Sequence, residues 1–291
     1  MIRRELDRVY FSNRRWDERV EDWVRLHDRG DDESFLGGNL AVVREVLSDE
    51  ETGLRMVINI GPDALLSFLV TNDYKNIYEK PVIGGKQRTP TQERQDVDAL
   101  LGFGPQAQDF YFGAVALGGG GVRYYGAHCM VLKPWEVPPD TRLFDRDSYD
   151  LLQSPLSGWD QQRTQEIADQ LRGTWSKDVV EMLIMKMLPK LPDTQHLITA
   201  GSLSALVIAD QEFVEVHRSG KIYREHLEEV RDAPEEVAVE MTILNRKRSG
   251  QSPTAVEIRW VAQRHKVLQA LARNRIAHRV VTLHGAGYQW R

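Results

Sequence analysis

Short strand-like runs and amphipathic helical runs follow one another along this chain in no regular order, and that irregularity constrains the fold most. A doubly wound parallel sheet needs strict strand–helix alternation, so the pattern favours an α+β fold over it. The run LRMVINI at 54–60 reads as a strand, and Gly61-Pro62-Asp63 then opens the helical stretch ALLSFL, with proline near the first helical position where its missing N–H costs nothing. A Gly- and Pro-rich loop follows, then a helix over 91–101 with Thr91 as its cap. Residues 111–117 (YFGAVAL) and 122–132 (VRYYGAHCMVL) read as two strands joined through Gly118–Gly121 as a hairpin, ended by Pro134, Pro138 and Pro139.

Helical periodicity returns at 159–171 and 176–188, where Val179, Val180, Leu183, Ile184 and Met187 form an apolar stripe suited to covering a sheet. Two further strands, 204–209 (SALVIA) and 212–217 (EFVEVH), are expected to pair as a hairpin across Asp210-Gln211. Period-two geometry puts Phe213, Glu215 and His217 on one face of the second and Val214 and Val216 on the other. An acidic helix over 222–231, a strand at VAVEMTIL, and a helix from Ser252-Pro253 to about Arg273 complete the pattern. With 291 residues, 41% of them hydrophobic, and no repeat or long linker, the chain divides into an N-terminal helical extension, 1–51, and one α+β domain, 52–291, with a basic C-terminal helix. Trp16, Val20, Trp23 and Val24 at helical spacing dock the extension on the body, and DRGDDES is a loop.

The net charge of −5 argues against a protein that coats nucleic acid or anionic membrane over its whole surface. The single cysteine, Cys129, excludes an internal disulfide framework and multi-cysteine metal sites; flanked by Met130 and Val131, it reads as a buried small hydrophobe. No apolar stretch near the start suggests a signal peptide, and no run approaches a membrane span, so the cytoplasm is the expected compartment, with leaderless secretion as the other route. The P-loop, HExxH, EF-hand and GxSxG patterns are absent. LGGGGV leads into a strand rather than a helix N-terminus, so it reads as a turn and not a phosphate cradle.

The distributed pieces carry more information. In order they are NDYKNIYEKPVIGG, then Arg88 and Glu93 five residues apart, VRYYGAHCMVLKP, RDS at 146–148, and FVEVHRSG. Together, over about 54–220, they resemble bacterial domains of the ADP-ribosyltransferase-like toxin and effector class. The resemblance implies a split antiparallel sheet that grips NAD and transfers ADP-ribose to a protein, nucleic acid or small molecule. Breaking the nicotinamide–ribose bond builds positive charge on the ribose C1, which requires a carboxylate nearby; Glu215 is the candidate, with Ser148 orienting it. Arg88, backed by Arg123, is the candidate for the pyrophosphate, because a guanidinium offers a fork of donors. Tyr74, Tyr78 and Tyr125 offer flat walls for nicotinamide. Arginine-modifying members of the class carry a second glutamate two residues before the catalytic one; here that position is Phe213, which argues against arginine as acceptor. Residue type alone favours the plainer reading: Glu215 as a solvated carboxylate on an alternating strand, Arg88 as a solvated loop cation, and the tyrosines, Tyr124 among them, as packing residues.

The C-terminal segment is a separate signal: from Asn245 to Arg291 ten Lys/Arg stand against one acid, Glu257. Arg259, Lys266 and Arg273 repeat every seven residues and form one helical stripe that could track the phosphates of a nucleic acid. The alternative is a solvated face complemented by the acidic run 225–240, or a dipolar molecule that docks a partner without catalysing anything.

Overall fold

The computed structural model describes residues 7–27, 35–49, 53–79, 82, 83, 86–124, 126–152, 161–190, 198–208 and 213–285. Its strands are β1 (Leu54–Ile60), β2 (Val82–Ile83), β3 (Lys86–Gln87), β4 (Phe110–Leu117), β5 (His128–Leu132), β6 (Arg142–Phe144), β7 (Arg172–Thr174), β8 (Glu215–Ser219), β9 (Leu227–Asp232) and β10 (Ala277–Val280). β2 and β3 form a small ribbon; the other eight make one sheet in the order β10-β9-β5-β1-β4-β8-β6-β7. Every neighbouring pair in it is antiparallel except β10 with β9. The helices are α1 (Trp16–His27), α2 (Phe35–Ser48), α3 (Pro62–Thr71), α4 (Gln92–Leu100), α5 (Gln161–Gln170), α6 (Trp175–Met187), α7 (Ala200–Val207), α8 (Pro234–Arg248) and α9 (Ala255–Arg273). The α+β class expected from the irregular alternation is the one observed.

The sheet is split at its centre. β1 pairs with β4 only from Leu54↔Leu117 to Val57↔Ala114. Beyond that point β1 pairs with β5, as far as Ile60↔His128, while the other half of β4 pairs with β8, from Ala114↔Glu215 to Phe110↔Ser219. Gly113 sits at the branch. A Cβ there would lie 2.5 Å from the carbonyl oxygen of Val57 and 2.9 Å from Met56 Cε, so only glycine lets the two backbones approach before they part.

The N-terminal helix is fastened to the body by more than its apolar face. Trp16, Val20 and Trp23 of α1 are buried. Trp16 Nε1 donates to the carbonyl of Arg172 at 2.9 Å, and Arg19 Nη2 donates to that of Gln170 at 2.8 Å, so α1 satisfies backbone groups around edge strand β7. α3 and α9 open as their caps predict, with Pro62 in the first turn of α3 and a Thr254/Glu257 capping box on α9. Among the described residues no helix is long and apolar enough to cross a membrane.

Several local expectations are overturned. The stretch 118–121 joins no hairpin, because β1 lies between β4 and β5, and the second strand begins only at His128. Residues 204–207 are not a strand: Thr199 and Ser202 form a capping box, and 200–207 turn as α7, burying Leu203, Ser204 and Val207, while 209–212 lie outside the described residues. A short apolar run satisfies both periods, and here the cap decides. Where an acidic helix over 222–231 was expected, β9 runs instead. Its Glu229, Arg231 and Asp232 are buried because each is paired: Arg231 Nε donates to Glu229 Oε1 at 2.5 Å, and Asp232 meets His128, His278 and Arg264. VAVEMTIL is helical, within α8. Pro234 and two glutamates stand in its first turn and Arg246, Lys247 and Arg248 in its last, which suits the helix dipole. The loop 28–34 lies outside the described residues.

Gly113→Ala tests the branch. It should cost roughly 1–3 kcal/mol of stability in urea denaturation, since the added methyl has only backbone and core to push against.

Candidate functional site

The split leaves a recess of about 230 Å³ between the diverging halves of β1 and β4, walled by Tyr74, Phe112, Tyr124, Tyr149 and Phe213, with Asn59, Arg94, Asp147 and Glu215 as its polar groups. Register explains the placement of the carboxylate. Glu215 opens β8 opposite Ala114, the last residue of β4 paired to β1, and the small Ala114 and Gly113 leave room above it. Phe213, Glu215 and His217 share this face, as the alternation predicted, while Val214 and Val216 are fully buried. Glu215 is not solvated: only 6% of it is exposed.

A buried carboxylate has to be satisfied. Oε2 accepts the backbone N–H of Ser148 at 2.7 Å. Oε1 lies 3.4 Å from His217 Nε2 and 3.8 Å from Arg94 Nη1, within reach of charge but beyond good hydrogen-bond length. Burial alone would raise the pKa of Glu215; the His217, Arg94 and Ser148 contacts outweigh it and hold the group at about 2, so it is an anion at neutral pH.

Arg94 is the hub that the sequence reading missed. It sits in the first turn of α4, which Thr91 caps by accepting from the Arg94 N–H at 3.2 Å. Its Nε donates to Asp98 Oδ1 at 2.9 Å, its Nη1 to Ser148 Oγ at 3.3 Å, and its guanidinium carbon lies 4.0 Å from the Phe112 ring centre. Burial opposes the charge of Arg94, but Glu215 and Asp98 hold its pKa above the ordinary arginine value. Tyr78 donates its hydroxyl to Asp98, so it supports this pair from behind rather than facing the recess. Asn59 fixes the opposite wall: its Nδ2 donates to the carbonyl of Val122, and Tyr124, held on the same turn, packs 5.1 Å from Phe213.

Of the residues singled out from the sequence, Glu215, Ser148 and Tyr74 come together here. Ser148 touches the glutamate through its backbone N–H, and its hydroxyl accepts from Arg94. Arg88 is exposed and does not line the recess; the guanidinium beside Glu215 is that of Arg94, six residues on. Arg123 is also elsewhere: it pairs with Glu236 at 2.9 Å and Glu235 at 3.6 Å, at the start of α8. Tyr125 lies outside the described residues. Cys129 is fully buried, its thiol pushed up to about 11 by burial.

The basic stripe is present on α9. Arg259, Lys266 and Arg273 are exposed and make no ion pair among the described residues. The acidic run is answered by other cations, since Glu240 takes Arg264 at 2.8 Å and His265 at 2.6 Å. Compared with protein-family models, curated proteins and solved structures, the chain matches none.

The Glu215 carboxylate has a measurable signature. Its folded pKa, about 2, lies below the ordinary 4.5, so its stabilisation is fully present above pH 4.5 and is lost as pH falls toward 2. A difference of that size corresponds to roughly 3 kcal/mol. Urea titrations stepped from neutral to acid pH should show the wild-type advantage over Glu215→Gln shrinking through that window.

Proposed function

We propose that the recess binds the nicotinamide–ribose half of NAD and that the protein transfers ADP-ribose from it. The observation that carries this reading is the anionic Glu215, buried in an aromatic-walled recess at the split of the sheet and aimed by the Ser148 N–H. In the reaction, the bond between the ribose C1 and the pyridinium nitrogen breaks and its electron pair stays on nitrogen, so nicotinamide leaves neutral. Positive charge is left on the ribosyl carbon, and the Glu215 carboxylate stabilises it without becoming protonated. An acceptor O–H or N–H, or water, then bonds to that carbon and gives up its proton; we assign its receipt to Asp147, the second carboxylate lining the recess. A volume of about 230 Å³ suits a base and a sugar, not a whole dinucleotide, which leaves the phosphates outside the recess. Phe213 packs against Tyr124 where a second glutamate would stand, so the acceptor we propose is not a guanidinium.

Incubation with NAD and a cell lysate should release nicotinamide, and Glu215→Gln should lower that rate by roughly 10²–10³-fold. A folded wild-type protein that releases none, or a variant that retains the rate, sinks the reading.

The free basic stripe supports a second reading, nucleic-acid binding along α9. Arg259 and Lys266 flank Trp260 on a groove of about 520 Å³ against α3, an arrangement of backbone cations with an aromatic plane. Fluorescence anisotropy with a labelled oligodeoxythymidine should show binding that weakens with salt and is lost in an Arg259→Ala, Lys266→Ala, Arg273→Ala triple variant. An unchanged triple variant rules this out.

A further inference from the structure

A second pocket, of about 390 Å³, lies on the far side of His217, bounded by 101–103, β6 and β7. Its floor follows from the register: Arg142 stands opposite His217, and Arg172 opposite Phe144, so both guanidiniums come from neighbouring strands on the face that carries Glu215. The charge here is poorly balanced. Arg142 is exposed, lies 5.4 Å and 5.1 Å from the ring centres of Phe103 and Phe110, and meets no carboxylate among the described residues. Arg172 donates from Nη2 to the carbonyl of Leu100 at 2.6 Å and faces Asp169 at 3.0 Å, but its Nε is buried with no hydrogen-bond partner among the described residues. Burial lowers the pKa of Arg172, Asp169 opposes that, and the like charge of Arg142 lowers it further. His217 is 2% exposed, and its Nε2 makes no hydrogen bond among the described residues. The carboxylate of the pocket, Asp178, is turned to Thr174, accepting from its N–H at 2.7 Å and its hydroxyl at 3.0 Å.

We infer that this pocket is a binding site for a phosphoryl group, held by the forked donors of Arg142 and Arg172. Two cations set together in a walled pocket repel each other, and a dianion between them reverses the sign of that interaction. Guanidiniums match phosphate oxygens two at a time, which an ammonium cannot. Two sources fit the chemistry: the diphosphate of a dinucleotide whose other half occupies the recess, and a separate phosphorylated small molecule. Only the first rests on the ribosyl-transfer reading. The sites adjoin, since His217 walls one, Glu215 walls the other, and they stand 3.4 Å apart.

Calorimetry with inorganic pyrophosphate tests the site on the full chain. Wild type should bind, and Arg142→Gln and Arg172→Gln should each weaken binding roughly tenfold or more. The Arg142 side chain makes no hydrogen bond among the described residues, so its variant keeps the test decisive if Arg172→Gln, which loses its bond to Leu100, fails to fold. No pyrophosphate binding by wild type, or equal binding by a folded Arg142→Gln, overturns the proposal. The source is read from a second arm. If the dinucleotide is the ligand, Arg142→Gln raises KM for NAD and leaves turnover of nicotinamide riboside, which has no phosphate, unchanged. If the ligand is a separate molecule, pyrophosphate binds through Arg142 while the KM for NAD stays the same. Arg142-dependent pyrophosphate binding by a protein that never cleaves NAD keeps the site and removes the transferase; cleavage without pyrophosphate binding does the reverse.

Discussion

Holding one negative charge inside a sheet is the constraint around which the rest of this structure is arranged. Glu215 cannot sit unsolvated without compensation, and the fold supplies it from three separate places: the Ser148 N–H as a hydrogen-bond donor, the Arg94 guanidinium of α4 at 3.8 Å, and His217 of its own strand at 3.4 Å. Each donor needs its own support. Arg94 is held by Asp98, Asp98 by Tyr78, and the guanidinium carbon stands 4.0 Å from the Phe112 ring centre. The split at Gly113 and the recess beside it would have no chemistry without that anion, and the anion would have no site without the split.

The elements with strong local grammar were readable from the sequence. LRMVINI followed by Gly-Pro-Asp, Thr91 at the head of α4, and the long helix ending at Arg273 form where capping and proline position require them. Where tertiary pairing overrides local preference, reading failed. β9 looked helical because it is acidic, and it tolerates those charges only because His128, Arg264, His278 and Arg279 arrive from elsewhere in the chain. The supposed glycine hairpin failed for a similar reason, since no local rule says that β1, fifty residues earlier, inserts between β4 and β5.

The candidate site was legible in proportion to how local its parts are. Period two placed Glu215 with Phe213 and His217, and the motif order suggested Ser148. Arg94 went unnoticed although its spacing to Asp98 on a capped helix was in view, because an Arg–Asp pair four residues apart is ordinarily a solvated helix pair. Arg88 is the candidate by its position in the motif order, yet the guanidinium beside Glu215 comes from the helix that follows it. Asn59 and Tyr124 carried no signal, since their part depends on the divergence of β1 from β4.

Two buried carboxylates on this sheet differ in how fully their oxygens are coordinated. Asp232 has both oxygens filled at hydrogen-bond length: His128 at 2.6 Å on one, Arg264 at 2.7 Å and His278 at 2.9 Å on the other. Nothing further can approach it, and it ties α9, β5 and β10 together. Glu215 has one short bond, at 2.7 Å, and its second oxygen is left with the His217 imidazole at 3.4 Å and the Arg94 guanidinium at 3.8 Å, beside a recess and not a packed helix. A charge held down so firmly and yet left under-coordinated on one side has capacity for a positive partner that is not part of the protein. That residual capacity is what a developing ribosyl cation would use.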